Sequence, residues 1–231
     1  MRRTIAVWLV LFPLAGAFAQ ERKAPFLQGV SVFAGGAWSR YSGVPAVATF
    51  PELGPFMGNR AGGAVGLLWE YRFGRHFFLD NGLQYARKGA VVDWKYYDEL
   101  IGVWKYDLDV ISNPITFRFK PWLRSSPYLL AGYELSFILG HRLTDSWPLS
   151  EKIRTNLKAD SYDFDFGLLA GAGAEIPLEK WTLFSEVRYY HGLLDISKGS
   201  GALVSYPVIK VRALIVIAGV RFRWRSAARP E

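Results

Sequence analysis

The 231 residues carry 28 Lys and Arg against 20 Asp and Glu, a formal +8, with 16% aromatics, 23 Gly and 9 Trp. The absence of cysteine excludes a disulfide framework, a cysteine nucleophile, a thiolate metal site and a lipoprotein acylation site. The positive excess is spread along the chain with no Lys/Arg run, so nothing points to a nucleic-acid partner.

The first element is a leader. Arg2-Arg3 is a basic start, 5–18 is apolar, and Ala17-Phe18-Ala19 is an A-x-A site that predicts cleavage before Gln20. An uncleaved helical anchor is the competing reading, but the apolar stretch is short for a span and contains Pro13 and Gly16. Removing Arg2 and Arg3 takes the +8 to about +6 by the same count. No later stretch is long enough for a membrane helix, so the remaining hydrophobicity belongs to strands. This divides the chain into a signal peptide at 1–19, a barrel at 20–225 and a short tail at 226–231.

Residues alternating between two chemistries predict eight strands. Strand one covers 27–39, with Val30, Val32, Ala34 and Trp38 on one parity. A Gly-, Pro- and Ser-rich linker at 40–60 leads to strand two, 61–73, where Val65, Leu67, Trp69 and Tyr71 oppose Glu70 and Arg72. After a short turn, strand three covers 77–88, with Leu79, Leu83 and Tyr85 against Asp80, Gln84 and Lys88. A second long linker is expected at 89–103. Strand four, 104–120, sets Tyr106, Leu108 and Val110 against Asp107 and Asp109, then Ile115, Phe117 and Phe119 against Thr116, Arg118 and Lys120. Asn113-Pro114 lies between the two runs and predicts a bulge.

Strand five, 127–140, opposes Leu129, Ala131, Tyr133, Leu135, Phe137 and Leu139 to Glu134 and Ser136. A charged linker at 141–161 precedes the clearest hairpin. On its first arm Phe164, Phe166, Leu168, Ala170 and Ile176 oppose Asp165, Gly171, Gly173 and Glu175. After the turn at 177–180, Trp181, Leu183, Val187 and Tyr189 oppose Thr182, Glu186, Arg188 and Tyr190. A linker at 193–209 leads to strand eight, 210–224, with Leu214, Val216, Ala218, Val220, Phe222 and Trp224 against Arg221 and Arg223.

Long and short connections alternate along this order. That asymmetry, the leader and the even strand number fit an all-β, eight-stranded antiparallel up-and-down transmembrane β-barrel, with short periplasmic turns and long extracellular loops. The competing fold is a soluble β-sandwich or lipocalin-like barrel.

Several segments resemble a family of small outer-membrane β-barrels, the porin-family or PorT-like group. They are GLQYARKG at 82–89, YDLDVISNPITFRF at 106–119, PYLLAGY at 127–133, FDFGLLAGAG at 164–173, VRYYHGL at 187–193 and GVRF at 219–222. Ser112-Asn113 stands where the family usually has Glu-Ile before the strand proline. The resemblance implies the barrel fold and an outer-membrane location. Few members have a known role, and some are implicated in secretion.

An eight-stranded barrel has an interior that side chains can fill. Glu70, Arg72, Asp80, Lys88, Asp109, Arg118, Glu134, Asp165, Glu175, Glu186, Arg188, Arg221 and Arg223 are the expected lumen ion-pair network. Glu186 and Arg188 face the same way and are expected to meet partners from strands two, six or eight. Trp38, Trp69, Trp94, Trp104, Trp147, Trp181 and Trp224 suggest interfacial belts. For Trp94 and Trp147, and for Tyr41, Phe50, Pro51, Pro55 and Phe56 in the first loop, a receptor or glycan contact is the other reading. His191 with Asp195 and Ser197, or His141 with Asp145 and Ser146, could imitate a triad, but strand-to-loop spacing argues against it. No catalytic residue, cofactor or metal is expected.

The function expected is therefore structural or interaction-based, through the extracellular loops or the periplasmic rim. A passive channel, an accessory barrel of a secretion system and a lipid-modifying enzyme are the alternatives. The expected surroundings are outer-membrane lipid and lipopolysaccharide, with a protein partner at the loops or rim and a monomeric barrel.

Overall fold

The computed structural model describes residues 27–42, 53–97, 99–122, 126–148, 151–199 and 208–224. The leader with its cleavage site, Phe50 and Pro51 in the first loop, and the tail at 226–231 lie outside these residues.

The described residues form nine strands: β1 Leu27–Ser42, β2 Leu53–Arg72, β3 Phe77–Tyr96, β4 Glu99–Phe119, β5 Ser126–Ser146, β6 Ile153–Asn156, β7 Phe164–Pro177, β8 Trp181–Gly192 and β9 Lys210–Arg223. The sheet order is β4-β3-β2-β1-β9-β8-β7-β5, and β5 pairs back onto β4, so the sheet closes on itself. All pairings are antiparallel, including the seam between β1 and β9 that runs from Gly29↔Arg223 to Ser42↔Lys210. The eight long strands are the barrel, and β6 pairs with the top of β5.

Three expected linkers contain strand among their described residues. Residues 89–103 continue β3 and β4 as a hairpin that turns at Tyr97, whose φ is 46°. Gly89, expected to open the second linker, lies inside β3 at φ +146°, where a Cβ would sit 2.0 Å from the Tyr106 carbonyl oxygen. Residues 53–60 belong to β2, and 141–146 to β5. At about 3.4 Å per residue and a tilt of about 40°, the 20 residues of β3 rise roughly 50 Å, twice the roughly 25 Å apolar band of such barrels. The long-loop end, extracellular by the usual asymmetry, therefore projects well beyond the membrane.

No bulge forms at Pro114. The β3–β4 register continues from Asn81↔Ile115 to Gln84↔Ser112, which sets Gly82 opposite Pro114. Proline has no N–H to donate; the Asn113 side-chain amide donates to the Gly82 carbonyl instead. The β4–β5 bulge lies higher, where Asp109↔Gly140 is followed by Val110↔Ile138. Leu139 and Gly140 are left on the same outer face there.

The two faces exchange chemistry partway up. Low on β4, Arg118 and Thr116 point inward and are buried, while Phe117 and Phe119 are exposed to the outside. Higher on the same strand Val110, Leu108 and Tyr106 point inward and are buried, while Asp109 and Asp107 face out. On β9 the inward series runs from Val211, Ala213, Ile215 and Ile217 at the top to Arg221 and Arg223 at the bottom. The barrel is apolar outside where lipid surrounds it and apolar inside where water does. Leu157, Ile196 and Ile209 pack into the upper core, held by backbone bonds from Leu157 N to His141 O (2.8 Å) and Ile196 N to Ile209 O (2.9 Å).

Candidate functional site

The lower lumen is built by inward positions on six strands. Arg118 on β4 is fully buried between Asp80 on β3 (2.5 Å) and Glu70 on β2. Arg221 on β9 reaches Glu175 on β7 (3.0 Å), Glu70 (3.2 Å) and the Ser31 hydroxyl on β1 (2.9 Å). Arg223 bonds Glu70 through Nε at 2.7 Å and Glu175 through Nη2 at 3.2 Å. Lys120, in the turn after β4, also pairs with Glu175. Arg118, Arg221 and Arg223 thus each face more than one carboxylate, the condition under which buried charge is tolerable.

Two smaller groups lie above. Arg188 Nε bonds its strand neighbour Glu186 at 2.6 Å, and Tyr128 on β5 donates to the same carboxylate at 2.6 Å. Glu186 and Arg188 pair with each other within β8, because side chains two apart share one face, and the cross-strand hydrogen bond comes from β5 where β2, β7 or β9 is expected to supply it. Higher still, Lys88 on β3 bonds Glu134 on β5 at 2.8 Å and lies 3.8 Å from the Tyr190 ring centre. Tyr190 donates to Asp165 at 2.6 Å. Glycines make room for these bulky groups: a Cβ on Gly173 would lie 2.6 Å from the Tyr128 ring, and one on Gly219 2.8 Å from Phe184.

Two expected lumen residues lie elsewhere. Arg72 is exposed at the short-turn rim, where its Nε bonds the Gly74 carbonyl at 2.6 Å. Asp109 faces outward and binds Arg87 at 2.8 Å as well as Arg142. Assigning Asp109 to the lumen requires the bulge at Pro114 that the strand does not make. The expected ion-pair network also leaves out Lys120, Ser31, Tyr128 and Tyr190. The two tyrosines carry no charge to flag them, yet their inward parity was visible.

His141 is buried with Ser161 and Tyr41, not with Asp145 and Ser146. Ser161 donates to the Leu157 carbonyl (2.9 Å), so its oxygen accepts from His141 Nδ1 (2.7 Å), and Tyr41 donates to Nε2 (2.9 Å). Tyr41, read as a loop contact, is thus part of the interior. Asp195 accepts the Ser197 and Ile209 backbone N–H groups (2.9 and 2.7 Å), so it orders a loop and does not orient His191. Trp94 and Trp104 pack against one another, centroids 4.8 Å apart, and against the upper core instead of forming a belt. Trp38, Trp181 and Trp224 are exposed. Outside the strands, Asp163 is held below the usual carboxylate range by the hydrogen bond from Lys158.

A closed antiparallel barrel with a lipid-facing apolar belt around an ionic interior defines an outer-membrane barrel protein, and the chain resides in the outer membrane. It belongs to the outer membrane protein beta-barrel domain family, whose family model matches residues 18–198. Among solved structures, the chain is similar to Neisserial surface protein A (19% identity, 84% of this chain and 97% of that one, TM-score 0.43). It is also similar to OprG from Pseudomonas aeruginosa (13% identity, 87% and 98%, TM-score 0.47). A third similar structure is Ail, the attachment invasion locus protein of Yersinia pestis (17% identity, 84% and 99%, TM-score 0.38). No curated protein matches the chain.

Proposed function

We propose that the chain is a monomeric, closed outer-membrane barrel that acts by engaging a partner through its extracellular extension, neither conducting solutes nor catalysing a reaction. The observation that carries this reading is the pairing of a filled interior with a protruding, aromatic outer end. Phe56 on β2, Tyr96 and Tyr97 at the β3–β4 tip and Leu100 on β4 are exposed, Tyr97 at 67%. Rigid aromatics at low entropy cost are the usual anchors of protein interfaces. Below them the lumen holds Arg118 and Arg221 with no solvent contact, and Leu157 and Ile196 fill its mouth.

The non-enzymatic reading is supported by His141. Its hydrogen bonds leave no ring lone pair free to take a proton from Ser161, since Nδ1 donates and Nε2 accepts from Tyr41.

Planar-bilayer recording tests the closed lumen: no steady conductance is expected, and a stable ohmic pore from the unaltered chain would sink it. The partner reading is tested by photo-crosslinking from position 97 in intact cells. A discrete adduct is expected, and it should disappear in a Phe56→Ala/Leu100→Ala variant; failure to capture any adduct counts against the reading.

A further inference from the structure

The height at which the two faces exchange chemistry is marked, on the outside, by cations. Arg40 on β1, Arg60 on β2, Arg87 on β3, Arg142 on β5 and Arg212 on β9 are the outward residues there. The carboxylates at this height are too few for them. Arg60 takes Asp107, and Arg87 and Arg142 share Asp109. Among the described residues Arg40 and Arg212 make no ion pair, although the register sets them directly opposite one another. Like charges facing across a strand pair are unfavourable, and Arg212 Nε is buried without a hydrogen-bond partner.

On the other side of the barrel the β5 bulge opens a groove. Leu139 and Gly140 both face outward, and Gly140 contributes no side chain beside Asp109. The groove, about 510 Å³, is lined by Tyr85, Leu139, Arg142, Arg154 and Lys158 among others. Arg154 is exposed and makes no ion pair among the described residues. The groove has an exposed leucine at its base and cations above, with only Asp109 and, through Lys158, Asp163 to oppose them.

Its position matches a membrane boundary. The outward run on β4 from Phe119 to Ile111 rises roughly 20 Å, and Asp109 lies roughly 26 Å up, at the edge of a roughly 25 Å apolar band. Acyl chains lie below this height and headgroups at it. We propose that this cationic girdle binds phosphate groups of outer-leaflet lipids, one seat lying between Arg40 and Arg212 and another in the groove under Arg142, Arg154 and Lys158. The apolar base favours a lipid over a free anion, because an acyl chain can cover Leu139 while the phosphate meets the guanidinium groups. The inference goes beyond the partner reading and does not depend on it.

The full chain is folded into nanodiscs of phosphatidylcholine with and without phosphatidic acid, a phosphomonoester probe, and retained lipid is read by native mass spectrometry. The comparison variants are Arg40→Gln/Arg212→Gln and Arg154→Gln/Lys158→Gln. The unaltered chain retains phosphatidic acid in preference to phosphatidylcholine, and each double variant loses roughly fivefold per cation removed. In pure phosphatidylcholine the Arg40→Gln/Arg212→Gln variant folds as well as the parent or better, since a like-charge pair is gone. Equal retention by parent and variants overturns the proposal. Complete displacement of the lipid by millimolar inorganic phosphate overturns its assignment to lipid.

Discussion

Arg118 is the residue whose loss the barrel should tolerate least. It has no solvent contact, and Glu70 and Asp80 are buried against it. Arg118→Met keeps much of the volume but leaves those carboxylates undercompensated, and should cost about 3–5 kcal/mol, measured as a shift in urea unfolding in lipid micelles. Asp163→Asn is the contrast: its side chain is 83% exposed, so the change should cost less than about 1 kcal/mol. Its sign with pH follows from the depressed carboxyl. The small contribution is present above the ordinary carboxylate pKa and fades as pH falls through the lower folded value. The lumen charges on β2, β3, β5 and β7–β9 could be read from parity because alternation leaves one inward face per strand. The position of Asp109 could not, because its inward neighbours Leu108 and Val110 look like a lipid face and are instead a water-shielded core.

Among the elements, β4 carries the least regular piece of chemistry. Asn113 sits on the outer face, where lipid is expected, and its amide reaches Gly82 O and Asn81 Oδ1. Without that donor the carbonyl opposite Pro114 has no partner in a medium that offers none. Asn113→Leu, although more apolar, should therefore destabilise the barrel by about 1–3 kcal/mol. Adding Pro114→Val, which restores a backbone N–H, should recover part of the loss. Refolding into vesicles followed by unfolding titration measures both; a stabilised Asn113→Leu would refute the account. The strand extensions were illegible for a related reason. Between 89 and 103 the sequence still alternates, but Trp94, Tyr96 and Tyr97, set among Asp93, Lys95 and Asp98, resemble a loop until Val92 and Trp104 are seen to share an inward face.

For the whole molecule, closure and strand number were legible because they need only the count of alternating runs and the alternation of long and short connections. The exchange of faces was not, since it needs to be known where the lipid stops. It makes a testable map. Single-tryptophan variants in brominated-lipid vesicles should show strong quenching for Trp38 and Trp181, and little for Trp94 or Trp104, which lie above the band and face inward. Quenching of Trp94 as strong as that of Trp181 would place the membrane wrongly. The β1–β9 seam joins Gly29 to Arg223, nearly the whole described length apart. Until those two ends meet, the sheet has two unsatisfied borders, each able to recruit a stray strand from another chain. The zipping of that last join is thus a late event in assembly, and an escort that shields both borders until then is a physical need of this topology.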